Sequence, residues 1–317
     1  MARTGLDGEY PNIVEKLNHT DDDKYLTLKE LLCSRSFVFF FGVHILALAV
    51  FFVRFQWSFL HLALASYCVR MLAITAGYHR YFSHRAFRTS RIFQFALACL
   101  GCSACQKGVL WWASWHRHHH RYADTEQDVH SPYFGGFWWS HMGWFLFSDR
   151  HVAIQWHLIP DLAVYKELLW LEEHHYLPGI ILAIVSYVMG GFGGFIWIFC
   201  LSTVILWHAT FTVNSLCHLY GYQNFLCEYH ESCNAKNNIL LAILTLGEGW
   251  HNNHHSFMGS SKQGFEWWEI DLCYYFIRIM SSLGLIDSFR VPSSEQIELR
   301  RLRSQTRSEL STSVSDH

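Results

Sequence analysis

Long apolar runs dominate the hydrophobic pattern of this chain, and four of them approach the length of a membrane-spanning helix. A helix needs roughly 20 apolar residues to cross a bilayer. The four runs cover residues 36–53, 58–77, 177–189 and 195–213. Short links at 54–57 and 190–194 join them in pairs, which predicts two helical hairpins. A fifth apolar stretch, 91–110, is interrupted by glutamine and lysine, and we expect a buried or interfacial helix there.

The distribution of basic residues sets the orientation of these hairpins. Arg80, Arg85 and Arg88 follow the second run closely, whereas the two short links carry one basic residue between them. Because Lys and Arg accumulate on the cytoplasmic side, both termini and the long central segment are predicted to be cytoplasmic. The predicted fold class is an all-α membrane protein with four transmembrane helices in two hairpins and a cytoplasmic helical cap. A soluble all-helical protein is the alternative.

This pattern divides the chain into six segments. They are a cytoplasmic N-terminal segment (1–35), transmembrane hairpin 1 (36–78), a cytoplasmic region (79–176), transmembrane hairpin 2 (177–213), a cytoplasmic cap (214–291) and a flexible tail (292–317). The polar N-terminal segment does not have the pattern of a signal peptide. The tail is charged and rich in serine, a composition typical of disorder.

Histidine is the residue whose number stands out in the composition. The chain has 22 histidines, 51% hydrophobic residues and a net charge of −2, so no basic surface for nucleic acid is indicated. Histidine is the commonest protein ligand of transition metals, which makes metal binding the first explanation. Cys99, Cys102 and Cys105 recur every third residue, but no fourth ligand accompanies them, and helix packing is favoured over a metal site there.

Three histidine clusters lie where the predicted transmembrane helices reach the cytoplasm. The second and third share the spacing H-x-x-H-H, which on a helix places all three imidazoles on one face and lets each cluster converge on one point. The histidines of the first are five positions apart, so the helix must end or distort between them. The clusters are His79 and His84; His116, His119 and His120; and His251, His254 and His255.

A further pair, Asn214 and His218, lies four positions apart at the predicted end of the fourth apolar run. We predict that His218 is another ligand and that Asn214 holds a metal-bound water. One metal ion cannot bind so many imidazoles, and two metal ions are therefore predicted. The imidazole ligands alone do not decide between zinc, copper, iron and nickel. Other histidines are interpreted as structural or surface residues: His44, His61, His130, His141, His151, His157, His174 and His175.

The three clusters resemble the histidine boxes of the membrane fatty-acid desaturases. The likeness covers about residues 36–271 and includes the stretches 75–80, 138–144 and 247–255. The stretch 214–218 resembles an additional ligand motif of the stearoyl-CoA (delta-9) desaturase branch. Carboxylates near the second and third clusters are candidates to bond the outer nitrogens of the ligands, with surface ion pairs as the alternative. These candidates are Asp124, Glu126, Asp128 and Glu248.

This resemblance implies an O2-dependent delta-9-type desaturase that inserts a cis double bond into a saturated acyl chain at two iron ions. It implies the ligands His79, His84, His116, His119, His120, His218, His251, His254 and His255, with Asn214 acting through water. The tail is too short for a fused cytochrome domain, so a separate electron donor is expected, either cytochrome b5 or a ferredoxin with its reductase. The main alternative is a hydroxylase with the same di-iron site; the other is a metal carrier or channel.

The sequence departs from the acyl-CoA branch just before the second cluster. That branch has charged residues there that help hold the CoA head group, whereas this chain has Ser114 and Trp115. The run 111–115 is more similar to bacterial members. CoA thioester, carrier-protein thioester and intact lipid therefore stay open as acyl carriers. The expected location is the endoplasmic reticulum membrane in a eukaryote, or the inner membrane in a bacterium.

Overall fold

A computed structural model describes residues 26–148, 153–227 and 232–315 of the protein, with backbone only beyond 306. These residues are mostly helical and contain one small sheet. The α-helices are α1 (Leu28–Cys33), α2 (Arg35–Ala47), α3 (Trp57–Leu72), α4 (Arg91–Cys102), α5 (Val109–Tyr122), α6 (Pro132–Trp138), α7 (Trp144–Leu146), α8 (Lys166–Glu173), α9 (Leu177–Gly194), α10 (Ser202–Leu219), α11 (Ile239–Leu244), α12 (His251–Ser256), α13 (Leu272–Ser282) and α14 (Ser294–Ser315). Strands β1 (Phe87–Thr89) and β2 (Ile286–Phe289) pair in antiparallel fashion. π-Helical segments cover Ala73–Ser83, Trp139–Gly143 and Phe195–Leu201, and 3-10 helices cover Leu48–Phe51 and Trp156–Leu158.

Two continuous helical stretches are long and apolar enough to cross a membrane. They are Trp57–Ser83 and Leu177–Leu219. Arg35–Phe51 and Arg91–Cys102 are apolar as well, but shorter. Length and composition therefore support membrane association for this protein, and they identify two candidate spans within the described residues.

The longer stretch reverses direction near its middle. Gly190 and Gly191 have non-helical backbone angles, and Gly191 has a φ of +58°, which favours glycine. A Cβ atom on Gly194 would lie 2.5 Å from the carbonyl oxygen of Ser186. A straight helix rises about 1.5 Å per residue, so this contact requires the chain to turn back. Leu177–Leu219 is therefore a pair of antiparallel arms whose turn lies inside the apolar link at 190–194.

The start of α3 packs against this turn. A Cβ atom on Gly190 or Gly193 would lie 2.6 or 2.8 Å from ring carbons of Phe59, so the aromatic ring fits a surface that only glycine leaves open. The start of α3 and the turn after α9 consequently lie side by side. Because α3 and α10 both run away from this contact, their C-terminal ends reach the opposite end of the helical bundle together.

Arg70, in the apolar helix α3, is surrounded by protein. Its side chain is only 2% exposed. Its guanidinium donates to the hydroxyls of Ser202 and Thr203 at 2.6 and 2.7 Å, and to the carbonyl oxygen of Ser66 at 3.1 Å. These acceptors explain how a charged side chain lies within an apolar helix, since an intramembrane charge needs partners from neighbouring helices.

The C-terminal segment 292–317, predicted as a flexible tail, forms a helix in its described part. Ser293 and Gln296 form a reciprocal cap at its start, with distances of 2.8 and 3.1 Å. Arg301 forms an ion pair with Glu266 at 2.6 Å. A charged, serine-rich composition conceals both features, because a helix cap and one tertiary ion pair depend on particular positions and not on average polarity. The predicted N-terminal segment lies largely outside the described residues.

Candidate metal centre

Nine imidazoles from separate parts of the chain meet inside the protein as two groups. Within each group, the ligand atoms lie within 4.8 Å of one another. The five-histidine group consists of His79, His84, His116, His120 and His254. The four-histidine group consists of His119, His218, His251 and His255. The groups adjoin, since the rings of His120 and His255 stack with centroids 4.3 Å apart.

The second and third sequence clusters each contribute histidines to both groups. His119 belongs to the four-histidine group, whereas its neighbours His116 and His120 belong to the other. In the third cluster it is His254 that separates from its neighbours. The expectation that each H-x-x-H-H cluster converges on one point is therefore wrong. Positions i, i+3 and i+4 form a stripe on a helix, and this stripe is wide enough to serve two adjacent sites.

The first cluster reaches one site through a change in helix type. The α-helix α3 continues as a π-helical segment, Ala73–Ser83. The amide of His84 donates to the carbonyl oxygen of His79 at 3.3 Å, which is the five-residue step of a π-helix. Residues five apart then lie one turn above each other, and the two rings are 5.0 Å apart. This is the distortion that the spacing H-x-x-x-x-H requires.

Two glycines bring the chain into the third cluster. Gly247 has a φ of +132°, and a Cβ atom there would lie 2.5 Å from a carboxylate oxygen of Asp271. A Cβ atom on Gly249 would lie 2.1 Å from the amide nitrogen of Ala242. Any larger side chain would push the start of α12 away from its neighbours, so both positions fix where the third cluster begins.

The two asparagines of the third cluster anchor α12 from behind. Asn252 accepts hydrogen bonds from the amides of Asn224 and Phe225 at 2.7 and 3.0 Å. Asn253 donates to a carboxylate oxygen of Glu269 at 2.7 Å and to the carbonyl oxygen of Gln263 at 2.9 Å. Both side chains are buried, so these bonds hold the helix while its histidines face the other way.

Carboxylates behind the imidazoles determine which ring nitrogen faces inward. Nδ1 of His119 lies 3.0 Å from Asp128, and Nδ1 of His218 lies 2.8 Å from Asp124. Glu248 contacts Nδ1 of His79 in the same way. A carboxylate accepts a hydrogen bond from Nδ1–H, which leaves the lone pair on Nε2 pointing to the interior. Three of the four candidate carboxylates therefore face imidazoles, whereas Glu126 is exposed.

The inward nitrogens face one another at short range. Nε2 of His218 lies 3.1 Å from Nε2 of His251, and Nε2 of His119 lies 3.3 Å from that of His255. The corresponding distances in the five-histidine group are between 2.8 and 3.0 Å. Lone pairs of neutral imidazoles repel at such distances unless a proton or a cation lies between them. The donor set therefore fits metal cations of the kind that imidazole binds.

Electrostatics keep most of these imidazoles in the neutral form that binds metals. Burial, aided by neighbouring imidazoles, lowers the pKa well below its usual value at six of them. These are His84, His116, His120, His251, His254 and His255. Burial alone would raise the pKa of Asp128, but the neighbouring His119 outweighs it and holds the carboxyl well below its usual range.

Asn214 and His218 lie on one face of α10, but the structure gives them different surroundings. His218 is fully buried and belongs to the four-histidine group. The backbone carbonyl of Asn214 accepts a hydrogen bond from Ser140 at 2.9 Å. The π-helical segment Trp139–Gly143 is thereby bonded to the turn of α10 that ends in a candidate ligand.

Three histidines outside the two groups form a hydrogen-bonded chain between helices. Nδ1 of His141 lies 3.0 Å from the hydroxyl of Ser215, and its Nε2 lies 2.9 Å from Nδ1 of His208. His208 in turn contacts His44 at 3.0 Å. No spacing in the sequence indicates this row of hydrogen-bonded histidines, because the three residues lie on separate structural elements. Separately, His130 is buried and packs on His119 with ring centroids 4.3 Å apart. His151 lies outside the described residues.

Comparison with known proteins decides the family. A model of the family "Fatty acid desaturase" matches residues 34–278. The chain belongs to the fatty acid desaturase family. An acyl-CoA 5-desaturase of Anemone leveillei is 38% identical over 256 residues, which cover 80% of this chain and 78% of the relative. An sn-1 stearoyl-lipid 9-desaturase of Anabaena variabilis is 35% identical over 262 residues, 82% of this chain and 94% of the relative.

The resemblance inferred from the histidine boxes is thus confirmed. This fatty acid desaturase is an oxidoreductase that acts on fatty acyl chains with O2, and its histidine groups indicate a metal cofactor. The names of its relatives differ in the double-bond position and in the acyl carrier. A chloroplastic palmitoyl-monogalactosyldiacylglycerol delta-7 desaturase of Arabidopsis thaliana is also 35% identical, over 80% of this chain and 68% of its own length. Family membership therefore leaves the double-bond position and the acyl carrier to be tested.

Proposed function

We propose that this desaturase inserts a cis double bond of the delta-9 type into a saturated acyl chain, at a non-heme di-iron centre, for unsaturated fatty acid biosynthesis. The observation that carries the proposal is the meeting of nine imidazoles in two adjoining groups with inward-facing Nε2 atoms. Each group would hold one iron ion. Asn214, one turn before His218 on α10, would act through a water molecule.

The chemistry of the substrate favours iron over zinc. The C–H bonds of a saturated acyl chain do not yield to acids, bases or hydroxide, which are what a zinc site provides. Two iron ions held by these imidazoles would supply the redox chemistry for removing two hydrogens from adjacent carbons with O2 and two electrons. Two groups of imidazole nitrogen ligands, four and five in number, suit such a redox-active pair better than a tetrahedral zinc site.

The protein's own residues orient the ligands and keep water out. Asp124, Asp128 and Glu248 fix the tautomers of their imidazoles and align the rings. His218 and His254 have almost no exposed surface, so bulk water does not reach these ligands. On the other side, the indole of Trp112 stacks on His116 with centroids 4.9 Å apart. An apolar wall of this kind suits an acyl chain approaching the five-histidine group.

We propose that four helices cross the membrane as two hairpins, with the metal centre on the cytoplasmic side. The side chains of Phe51 and Phe52, at the link after α2, are 80% and 89% exposed. Ile181, Ile184 and Val188 form a similarly exposed apolar face on α9. Apolar surface on this scale calls for lipid or a partner. The histidines gather at the opposite end of the bundle, near Arg80 and Arg85, which the positive-inside rule would put on the cytoplasmic side.

The electrons would come from a separate protein, either cytochrome b5 or a ferredoxin with its reductase. The acyl carrier would be CoA or a membrane lipid, since the relatives comprise acyl-CoA desaturases as well as lipid desaturases. The membrane would be that of the endoplasmic reticulum in a eukaryote and the inner membrane in a bacterium. A delta-9 position accords with relatives of Anabaena variabilis and a Nostoc species, named as stearoyl-lipid and palmitoyl-lipid 9-desaturases.

Expression in a host that lacks unsaturated fatty acids tests the proposal. We expect growth rescue and new cis-9 monounsaturated chains, both lost with His119→Ala and retained with the exposed-site control His157→Ala. Membranes supplied with labelled acyl-CoA, or prelabelled in their lipids, separate the two carriers. Hydroxy acids in place of alkenes would identify a hydroxylase. A double bond at another position would reject delta-9, and folded, iron-loaded protein without product would reject the desaturase.

A further inference from the structure

A pair of cysteines lies directly behind one histidine of the four-histidine group. Cys227 and Cys233 are joined by a disulfide, and their Cα atoms are 5.9 Å apart. Each is 7% exposed. The sulfur of Cys233 lies 3.5 Å from Nδ1 of His255, while Nε2 of the same ring faces His251 at 3.1 Å. One imidazole thus joins the candidate metal site to a redox-active pair of sulfurs.

This contact occupies the place that a carboxylate takes elsewhere in the group. The outer nitrogens of His119 and His218 face Asp128 and Asp124, whereas that of His255 faces sulfur. The group behind the outer nitrogen of a ligand sets the basicity and orientation of the ring. Unlike a carboxylate, the acceptor behind His255 can change its covalent state.

The same segment supports a second ligand. The amide of Asn234, the residue after Cys233, donates to Asp124 at 2.7 Å, and that carboxylate oxygen also accepts from Nδ1 of His218. The hydroxyl of Ser232 donates to the carbonyl oxygen of Ala123 at 3.1 Å. Contacts therefore connect Cys233 to His255 directly, and to His218 through Asn234 and Asp124.

We propose that Cys227 and Cys233 are a reversible thiol–disulfide modification site that adjusts the four-histidine group. The inference rests on the proposed function, since it takes this group to hold iron. As a thiol, Cys233 offers a sulfur acceptor to the N–H of His255. As a disulfide, it is a weaker acceptor and is tied to Cys227, so the imidazole and the segment that carries Asn234 are held differently.

The chemistry balances with two simple reagents. Hydrogen peroxide oxidises the pair: the two thiols lose two hydrogens, one S–S bond forms, and the peroxide is reduced to two water molecules. A dithiol reductant of the thioredoxin class returns two hydrogens and is itself oxidised to a disulfide. In a reducing cytoplasm the dithiol would be the resting form, and the disulfide would form when peroxide accumulates.

Two measurements on the full-length, iron-loaded protein in membranes test this inference. The first is mass spectrometry of the peptide that spans both cysteines, after a dithiol reductant or peroxide. We expect the oxidised peptide to be two hydrogens lighter, and reduction to restore its mass. The second is the rate at which a chelator removes iron from wild-type protein in the two states. We expect about a 10-fold difference for one of the two irons, the lower end of such outer-contact effects.

Variants separate this inference from the proposed function. Cys227→Ser is expected to give one release rate whatever the treatment, whereas Cys33→Ser, at an exposed cysteine of α1, should behave as wild type. The wild-type measurement decides even if Cys227→Ser fails to fold. A pair that never loses its two hydrogens, or identical release rates in both states, overturns the inference and leaves desaturation intact. If the protein bound no iron, both the proposed function and this inference would be wrong.

Discussion

The two histidine groups use the same ligand type but differ in what stands behind the rings. In the four-histidine group, Asp128 lies 3.0 Å from Nδ1 of His119. It also lies 3.7 Å from Nδ1 of His130, but burial lowers the pKa of that ring to about 3. In the five-histidine group, Glu248 contacts His79 and also lies 3.4 Å from Arg80. Its charge is therefore shared between an imidazole and a guanidinium. Two sites built from the same residue can thus be made unequal by their outer contacts.

Other outer contacts extend this difference. The amide of Gln263 lies 3.2 Å from Nδ1 of His254. Nδ1 of His120, like Nδ1 of His251 in the other group, has no hydrogen-bond partner among the described residues. The five-histidine group thus has one shared carboxylate, whereas the four-histidine group has Asp124 and Asp128. We expect the four-histidine imidazoles to be the more basic, and the metal there to be held more tightly.

The largest expected effect comes from removing one ligand from either group. His251→Ala and His84→Ala should each abolish desaturation, since both irons are needed, and each should reduce bound iron by about half, because each group holds its own ion. The measurement is product yield together with iron per folded chain. His157→Ala, at an exposed histidine, is the control. If one of the variants lost all iron and the other none, the two-site arrangement would be wrong.

A smaller effect is expected when the carboxylate behind His119 is neutralised. Asp128→Asn keeps the shape but removes the charge that fixes the imidazole, so the affinity for one iron should fall about 10- to 100-fold. Competition with a chelator measures this loss, and the second iron should be unaffected. Glu126→Gln serves as the matched control, since that residue is exposed. Equal behaviour of the two variants would show that Asp128 does not position His119.

Glu248→Gln should have the weaker effect of the two carboxylate changes. Arg80 retains its 2.9 Å ion pair with Asp271, so no buried charge is left alone, and His79 loses only a shared partner. We expect about a 10-fold loss of affinity, restricted to the iron of the five-histidine group. A loss larger than that of Asp128→Asn would reverse the proposed order of the two groups.

The smallest effect concerns the metal-free protein at low pH. The pKa of six buried imidazoles lies well below its usual value, mainly because of burial. As the pH falls below about 6.5, these imidazoles bind protons in the unfolded chain but stay neutral in the folded chain. The free energy of unfolding that is present above this pH is therefore lost. His119, whose pKa is raised by Asp128, opposes this in part. The Tm of metal-free protein should fall on acidification; a constant Tm would contradict the burial of neutral imidazoles.

The ligand types and the helical class could be predicted from the sequence because both depend on local patterns. Apolar runs and the short links between them indicated where the chain turns, and H-x-x-H-H indicated two imidazole-bearing helix faces. The partition of these imidazoles could not be predicted: it depends on how α5 and α12 lie against each other. His119 and His120 are adjacent in the chain, yet their Nε2 atoms face different partners.

The outer contacts were predicted in part. Asp124, Asp128 and Glu248 were recognised because they are close to the clusters in sequence. Cys233 was not singled out from the sequence, since nothing local relates it to His255 across 22 positions. The helix α14 was missed for a similar reason: its stabilising ion pair joins Arg301 to a residue 35 positions away. Long-range contacts decide such features, and they are set only when the chain has folded.

The iron content of purified, full-length protein tests the central claim most directly. Metal analysis by mass spectrometry, normalised to folded chain, should give two irons per wild-type chain and about one for both His251→Ala and His84→Ala. Two results would contradict a di-iron centre divided between the two histidine groups. One is zinc as the native metal, and the other is a single iron in the wild-type chain that either variant removes.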